Sequence, residues 1–129
     1  MSYQDIQFSA AELRRYQRHL AIPGFGLAGQ QKLKAAQVLV IGAGGLGSPL
    51  LMYLAAAGVG HIGIADFDTV EDSNLQRQVL FGSADLGLLK VEAAKRRLEA
   101  LNPHIRITLY PEKLSAQNAL DILKGYDVV

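Results

Sequence analysis

The 129-residue sequence contains no cysteine, and this absence excludes several classes of protein at once. Without cysteine there can be no disulfide, no thiolate metal site and no cysteine nucleophile, a composition that suits a cytoplasmic enzyme. No apolar run approaches the roughly 20 residues that a membrane span needs, and the polar start lacks the features of a secretory signal. The formal net charge is only +1, so we expect neither nucleic acid nor an anionic membrane as a partner.

The residues that are present have an ordinary globular composition, 50% hydrophobic and 19% charged, in a length that suits one packed core. A capping box at Ser9 and Glu12 predicts a helix over residues 10–20. The segments after it predict a short helix over 27–36, a strand over 38–41, a helix over 48–57 capped by Gly58, a strand over 61–65, a helix over 90–101, a strand over 105–109, a helix over 116–123 and a fourth strand from Tyr126 onward.

This alternation of strands and helices predicts a parallel sheet with right-handed crossovers. We expect a Rossmann-like α/β domain over residues 37–129, with helices on both faces of the sheet and a helical N-terminal extension over residues 1–36. The sequence stops where the fourth strand begins, and a natural domain rarely ends on a fresh strand edge. We therefore expect a fragment that is truncated at the C-terminal end of this domain.

A glycine-rich loop lies between the first predicted strand and the helix after it. Its sequence, Gly42-Ala43-Gly44-Gly45-Leu46-Gly47, satisfies G-x-G-x-x-G in the context that gives the pattern meaning. Glycines let backbone amides approach a ligand, and a helix N-terminus attracts anions. Asp66, at the end of the second strand, is placed to accept hydrogen bonds from ribose hydroxyls. These features predict an adenosine nucleotide site without choosing between NAD, FAD and ATP.

A long polar segment, residues 66–78, stands where a dinucleotide-binding domain usually has a crossover helix. The segment ends in a cation, Arg77, and a second cation, Lys90, begins the next predicted helix. Arginine and lysine at the carboxyl edge of a sheet suit the large negative charge of a triphosphate. The segment therefore favours ATP over NAD and FAD.

At these residues the sequence resembles the ThiF/MoeB family, relatives of the ubiquitin-activating enzymes. The resemblance extends from Arg15 to Val129. Its motifs are Arg15-Tyr16-Gln17-Arg18, the glycine loop, residues 66–70, the run Ser73-Asn74-Leu75-Gln76-Arg77-Gln78, and Gly87 with Lys90. The run from Asn74 to Gln78 is much more specific than the glycine loop.

The resemblance implies an adenylyltransferase, a nucleotidyltransferase that uses ATP to adenylate the C-terminal glycine of a small ubiquitin-like sulfur-carrier protein. Carriers of the MoaD or ThiS kind serve molybdopterin or thiamine biosynthesis, and the N-terminal Arg-Tyr-x-Arg helix favours the molybdopterin branch. The attacking carboxylate is already a nucleophile, so catalysis reduces to positioning and charge neutralisation.

The resemblance also assigns individual residues to the site. Arg77, Lys90 and Arg18 are implied in catalysis, with Arg18 reaching into the partner subunit of a homodimer. The nucleotide is implied to bind at Gly42, Gly44, Gly45, Gly47, Asp66, Asp68, Ser73, Asn74, Leu75, Gln76, Arg77 and Lys90. No metal ligand is implied within the chain, because the Mg²⁺ ligand that accompanies ATP and a possible Zn²⁺ site are expected beyond Val129.

Two other interpretations stay open. An NAD(P)- or FAD-binding oxidoreductase domain would explain the glycine loop and Asp66, but not the run from Asn74 to Gln78. A non-catalytic, dimerising fragment would explain the abrupt end. Under the adenylyltransferase interpretation the 129-residue chain is expected to be inactive alone.

Overall fold

The computed structural model describes residues 2–129, and a parallel sheet of three strands in the order β1-β2-β3 lies at the centre of this range. The strands are β1 (Gln37–Ile41), β2 (His61–Ala65) and β3 (Arg106–Tyr110). Gln37 pairs with His61, and His61 pairs with Arg106. Because the strands are parallel and in step, their carboxyl ends lie at one edge of the sheet. The predicted Rossmann-like arrangement is confirmed.

The helices alternate with the strands as predicted. Within residues 2–129 the α-helices are α1 (Ala10–Arg15), α2 (Gln17–Leu20), α3 (Gly26–Ala35), α4 (Gly47–Ala57), α5 (Lys90–Leu101) and α6 (Ala119–Leu123). Short 3-10 turns occupy Tyr3–Asp5, Asp72–Asn74 and Ser83–Asp85. The predicted glycine cap of α4 is confirmed, since Gly58 adopts a left-handed φ of 92°.

The prediction of one helix over 10–20 is wrong, because the structure divides this segment at Tyr16. Its backbone leaves helical geometry, at φ −95° and ψ 11°, and its side chain is buried against the rest of the domain. The hydroxyl accepts a hydrogen bond from Asn102 Nδ2 over 2.8 Å. The capping box at the start of α1 is confirmed, with Ser9 and Glu12 each accepting a hydrogen bond from the other's backbone amide.

The end of the chain also differs from the prediction. Instead of a fourth strand from Tyr126 onward, Val128 forms a single parallel bridge to Val38, on the side of β1 away from β2. Helix α6 begins at Ala119 rather than residue 116, because the side chain of Asn118 accepts a hydrogen bond from the Ser115 amide over 2.7 Å. Such a local bond competes with the helical pattern.

The two faces of the sheet are covered differently. Alternate strand residues such as Val40, Ile62 and Ile107 join the apolar side chains of α4 and α5 in one continuous core. Residues between them face the other way, where Tyr126 lies against Gly63 so closely that a Cβ there would overlap its phenol ring. The segment after β3 therefore covers the second face.

The N-terminal extension packs on the domain through α3 and the C-terminal end of α4. Leu33 and Ala36 pack against the core, so the boundary proposed between residues 36 and 37 stays a prediction. In residues 2–129 no helix has both the length and the apolar character that crossing a bilayer requires.

Candidate functional site

The glycine loop connects β1 to α4 at the carboxyl edge of the sheet. Gly42 has a φ of 97°, a conformation that favours glycine. A Cβ at Gly47 would overlap the carbonyl oxygen of Gly42, so the tight turn requires glycine there too. None of the hydrogen bonds within residues 2–129 uses the backbone amides of residues 44–47. These amides form the positive end of α4, which is a suitable environment for an anion.

Asp66 ties the loop to the end of β2. Its Oδ2 accepts a hydrogen bond from the Ala43 amide over 2.8 Å, and its Oδ1 accepts one from the Asp68 amide over 2.8 Å. Both carboxylate oxygens thus have backbone partners, and the residue is only partly exposed. Asp66 therefore fixes the first half of the glycine loop and holds Asp68 next to it.

Arg77 lies across the second half of the loop. A Cβ placed on Gly45 would be 3.6 Å from Arg77 Cδ and 3.9 Å from its Nε. The guanidinium Nη1 donates to the Ser73 carbonyl oxygen over 3.2 Å, which restrains the side chain from its own turn. The structure thus brings a cation over the amides at the N-terminus of α4.

Lys90, the first residue of α5, is the second cation at this edge. Its amide donates to the Asp68 carbonyl oxygen over 2.9 Å, and its Nζ lies 3.9 Å from Asp68 Oδ2. The lysine side chain is 7% exposed and the aspartate side chain 55%. An antiparallel bridge between Thr69 and Leu89 fixes the backbone at this point. The ammonium group is therefore desolvated beside one half-exposed carboxylate.

Four further residues of the predicted nucleotide-binding set, Ser73, Asn74, Leu75 and Gln76, lie on the segment before Arg77. Ser73 contributes its carbonyl oxygen to Arg77, and Asn74 Oδ1 accepts a hydrogen bond from the Glu71 amide over 3.0 Å, which caps its own turn. Leu75 packs against the core, and Gln76 is exposed. Ser73, Asn74 and Leu75 thus position the loop that carries Arg77, and direct contact of all four residues with a nucleotide stays a prediction.

Arg18 lies at the opposite edge of the sheet. It is exposed on α2, next to His19, whose Nδ1 lies 2.9 Å from Gln30 Oε1. Gln30 in turn donates to the carbonyl oxygen of Ala57, at the far end of α4 from the glycine loop. Within one chain Arg18 does not join the site, and its predicted role in a partner subunit is untested.

The structure adds residues that sequence reasoning missed. A groove of about 240 Å³ lies beside Gly42 and Asp66 and is also lined by Phe67 and by Lys113, which follows β3. The Lys113 ammonium lies 5.8 Å from the centre of the Phe67 ring. Only the parallel topology could have indicated this, because residues after β3 must lie at the same edge as the loop.

Gln78 is a second residue that was not placed in the site. Its side chain lies under the loop, with Nε2 3.8 Å from the position of a Cβ on Gly44, and is 4% exposed. The sequence signal that could have indicated Gln78 is its place at the end of the specific run from Asn74 to Gln78.

The fold and the site together define a Rossmann-like α/β domain with a glycine loop of unpaired amides and two cations at the carboxyl edge of its sheet. The sequence pattern of the ThiF family matches residues 16–129, and the chain belongs to this family.

Named relatives agree with this assignment. The chain is 56% identical over 121 residues to a probable adenylyltransferase/sulfurtransferase, MoeZ, of Mycobacterium tuberculosis, covering 94% of the chain and 31% of that protein. It is 50% identical over 124 residues to the sulfur carrier protein adenylyltransferase of Thermus thermophilus, covering 96% of the chain and 46% of that protein. The chain thus spans less than half the length of either relative.

Solved structures show the same fold. The crystal structure of the E. coli tRNA N6-threonylcarbamoyladenosine dehydratase TcdA in complex with ATP is 30% identical in sequence, with a TM-score of 0.88. The similarity covers 95% of this chain and 51% of TcdA.

Proposed function

We propose that this chain is the ATP-binding part of an adenylyltransferase that activates the C-terminal glycine of a ubiquitin-like sulfur-carrier protein. The observation that carries the proposal is the position of Arg77 across Gly45, over the unpaired amides at the N-terminus of α4. A backbone anion site with a guanidinium over it suits a polyphosphate. Lys90 belongs to the same site, because Asp68 and Asp66 connect it to the loop.

The groove beside Asp66 suits the adenosine half of the nucleotide. It has an aromatic side chain in its wall, Phe67, and it opens directly next to the glycine loop. We place the base and ribose in this groove and the phosphates on the loop. Because both of its carboxylate oxygens already accept backbone amides, Asp66 would bind a ribose hydroxyl through the lone pairs that remain.

The proposed reaction is attack of the carrier's terminal carboxylate on the α-phosphorus of ATP. A new acyl–phosphate bond forms, the bond between the α-phosphorus and the bridging oxygen breaks, and pyrophosphate leaves. Arg77 and Lys90 would neutralise the charge that develops on the phosphate oxygens. The carboxylate needs no general base, so the site is not required to contain one.

Magnesium usually accompanies ATP, but the described residues do not fit a magnesium site. Residues 2–129 contain no group of three or more histidine, aspartate or glutamate side chains that could hold a metal ion. Asp66 is engaged by two amides and Asp68 faces Lys90. The proposed binding of ATP therefore rests on the loop amides and the two cations.

The partner and setting that we propose follow from the family and its named members. Relatives are named as adenylyltransferases, one of them for a sulfur carrier protein. We infer a cytoplasmic homodimer that acts on a carrier of the MoaD or ThiS kind, in molybdopterin or thiamine biosynthesis. For the 129-residue chain alone we propose ATP binding without turnover.

A nucleotide titration with a matched pair of variants tests the proposal. ATP should bind more tightly than NADH, and Arg77→Ala should weaken ATP binding by about 1.5–3 kcal/mol, since one charged contact is lost. This corresponds to roughly 10- to 150-fold in Kd. Arg97→Ala, which removes an exposed arginine of α5, should leave the affinity unchanged. Tighter binding of NADH than of ATP would instead support an oxidoreductase domain.

A further inference from the structure

Gln78 carries a buried acceptor that has no donor. Its side chain is 4% exposed, and within residues 2–129 its Oε1 is the only buried side-chain nitrogen or oxygen without a hydrogen-bond partner. Buried polar groups are nearly always paired, because an unpaired one loses its water and receives nothing in return. The unpaired oxygen therefore calls for a physical explanation.

The backbone around Gln78 holds the side chain against the glycine loop. The Gln78 amide donates to the Asn74 carbonyl oxygen over 2.9 Å, and the Phe81 amide donates to the Gln78 carbonyl oxygen over 3.1 Å. The carboxamide lies under Gly44, with Nε2 3.8 Å from the position of a Cβ there. The Gly44 amide is itself one of the loop amides without an acceptor. The atom that faces Gly44 is thus Nε2, itself a donor, and a half-turn of the carboxamide about its terminal C–C bond exchanges the two atoms and brings the unpaired Oε1 to this position.

We propose that Gln78 is a positioning residue for the phosphates, whose carboxamide turns so that Oε1 accepts the Gly44 amide when a nucleotide binds to the loop. This inference rests on the proposed function. The bond would fix the peptide between Ala43 and Gly44 and leave the amides of residues 45–47 and the guanidinium of Arg77 facing the phosphates. Gln78 would touch no reacting atom and would act through the loop.

A buried glutamine at the other edge of the sheet provides the contrast. Gln30 is 0% exposed, its Nε2 donates to the Ala57 carbonyl oxygen over 2.8 Å, and its Oε1 lies 2.9 Å from His19 Nδ1. Both ends of that carboxamide are therefore paired within the chain. Gln30 therefore has a structural role that Gln78 lacks.

The test replaces each glutamine with methionine, which has a similar length and volume and no polar group. Gln78→Met should leave the thermal midpoint of the nucleotide-free chain equal or higher, because an unpaired buried oxygen is removed. It should weaken ATP binding at least fivefold and change adenosine binding less than twofold, since only the phosphates depend on the loop amides. Gln30→Met should lower the midpoint and leave the ATP affinity of the folded protein unchanged.

A second measurement follows the Gly44 amide directly. Its hydrogen exchange should slow when ATP is added to the unchanged chain, and should slow less in Gln78→Met. Gln78→Met that binds ATP like the unchanged chain, or that loses stability as Gln30→Met does, would overturn the inference while ATP binding itself stands. If the unchanged chain binds no ATP, the proposed function fails and the inference fails with it.

Discussion

The ammonium group of Lys90 is buried, whereas the carboxylate beside it, that of Asp68, is half-exposed. Its side chain is 7% exposed and its Nζ lies 3.9 Å from Asp68 Oδ2, on a side chain that is 55% exposed. Burying a charge is costly unless it is well paired, and at 3.9 Å the pairing is long. A negatively charged phosphate of a bound nucleotide would give the ammonium group the close partner that it lacks, and this would explain its position.

Replacing Lys90 with methionine should therefore change ATP affinity without lowering the stability of the folded chain. The nucleotide-free chain should be as stable as before or more stable, because the remaining partner, Asp68, stays in contact with water. ATP affinity should fall by about 1.5–3 kcal/mol, the value of a charged hydrogen bond. Urea unfolding and ATP titration of the same protein samples measure the two effects.

The matched control is Lys95→Met, one turn further along α5. Lys95 is 43% exposed and lies 3.9 Å from Glu99 in an i,i+4 pair, which contributes only a few tenths of a kcal/mol. We expect no change in ATP affinity for this variant. A Lys90→Met chain that binds ATP as tightly as this control would remove Lys90 from the site.

At the level of elements, α1 is attached to α3 by one partly buried ion pair. Glu12 Oε2 lies 2.7 Å from Lys34 Nζ, and Glu12 also accepts the Ser9 amide in the capping box. Burial alone would raise the pKa of the Glu12 carboxyl, but hydrogen bonds from Lys34 and Ser9 outweigh it and lower the pKa below its ordinary value. The ionised form is therefore the one that stabilises the N-terminal extension.

This lowered pKa predicts a pH-dependent effect of Glu12→Gln. Above the unfolded pKa, about 4.3, the variant should be less stable by about 1.5–3 kcal/mol, because it loses a charged contact. As the pH falls through the lower folded pKa, the wild-type carboxyl becomes protonated and the difference should disappear. Urea midpoints of both proteins between pH 7 and pH 3 measure this, with exposed Glu99→Gln as the control. A difference that stayed constant with pH would show that charge is not its cause.

The sequence predicted the elements whose signals are local. Helix α5 has the predicted bounds, since apolar residues at helical spacing and the Asn102-Pro103 end are both within the segment itself. The interruption at Tyr16 could not be predicted, because the residue that binds its hydroxyl, Asn102, is 86 positions further along the chain. Long-range docking overrode a good local helix pattern.

The same distinction holds for the site. The glycine loop and Asp66 were predictable because each directly follows a strand in the sequence. The structure connects them through the hydrogen bond from the Ala43 amide to Asp66. The groove formed with Lys113 depends on the order of strands, and the unpaired oxygen of Gln78 depends on packing. Neither feature has a local signal, because each brings together segments that are far apart in the sequence.

At the scale of the whole molecule, exposed apolar side chains lie on α4 and on the segments beside it. Leu46, in the glycine loop, is 90% exposed, and Tyr53, on α4, is 78% exposed. Val79, directly after the run that ends at Gln78, is 57% exposed. Tyr53 and Val79 line one groove, and exposed apolar groups that cluster are typical of protein interaction surfaces. They support the proposal that the chain forms a homodimer.

The position of Arg18 makes the homodimer testable through nucleotide binding. Helix α4, which has 11 residues and is therefore roughly 16 Å long, separates the glycine loop from the end near Arg18. A guanidinium there can reach a nucleotide only on a second copy of the chain. Arg18→Ala should therefore leave ATP affinity unchanged at protein concentrations where sedimentation shows a monomer, and weaken it where sedimentation shows a dimer.

Arg14→Ala provides the matched control, because Arg14 is likewise exposed in the basic N-terminal segment and is not assigned to the site. It should leave ATP affinity unchanged at every concentration. If Arg18→Ala weakened ATP binding by the monomer, the in-trans assignment would be wrong, since Arg18 would then affect the nucleotide that is bound to its own chain. If a dimer formed and bound ATP equally well with and without Arg18, the residue would have no part in nucleotide binding. An effect confined to the dimer would show that each nucleotide site is completed by the second chain.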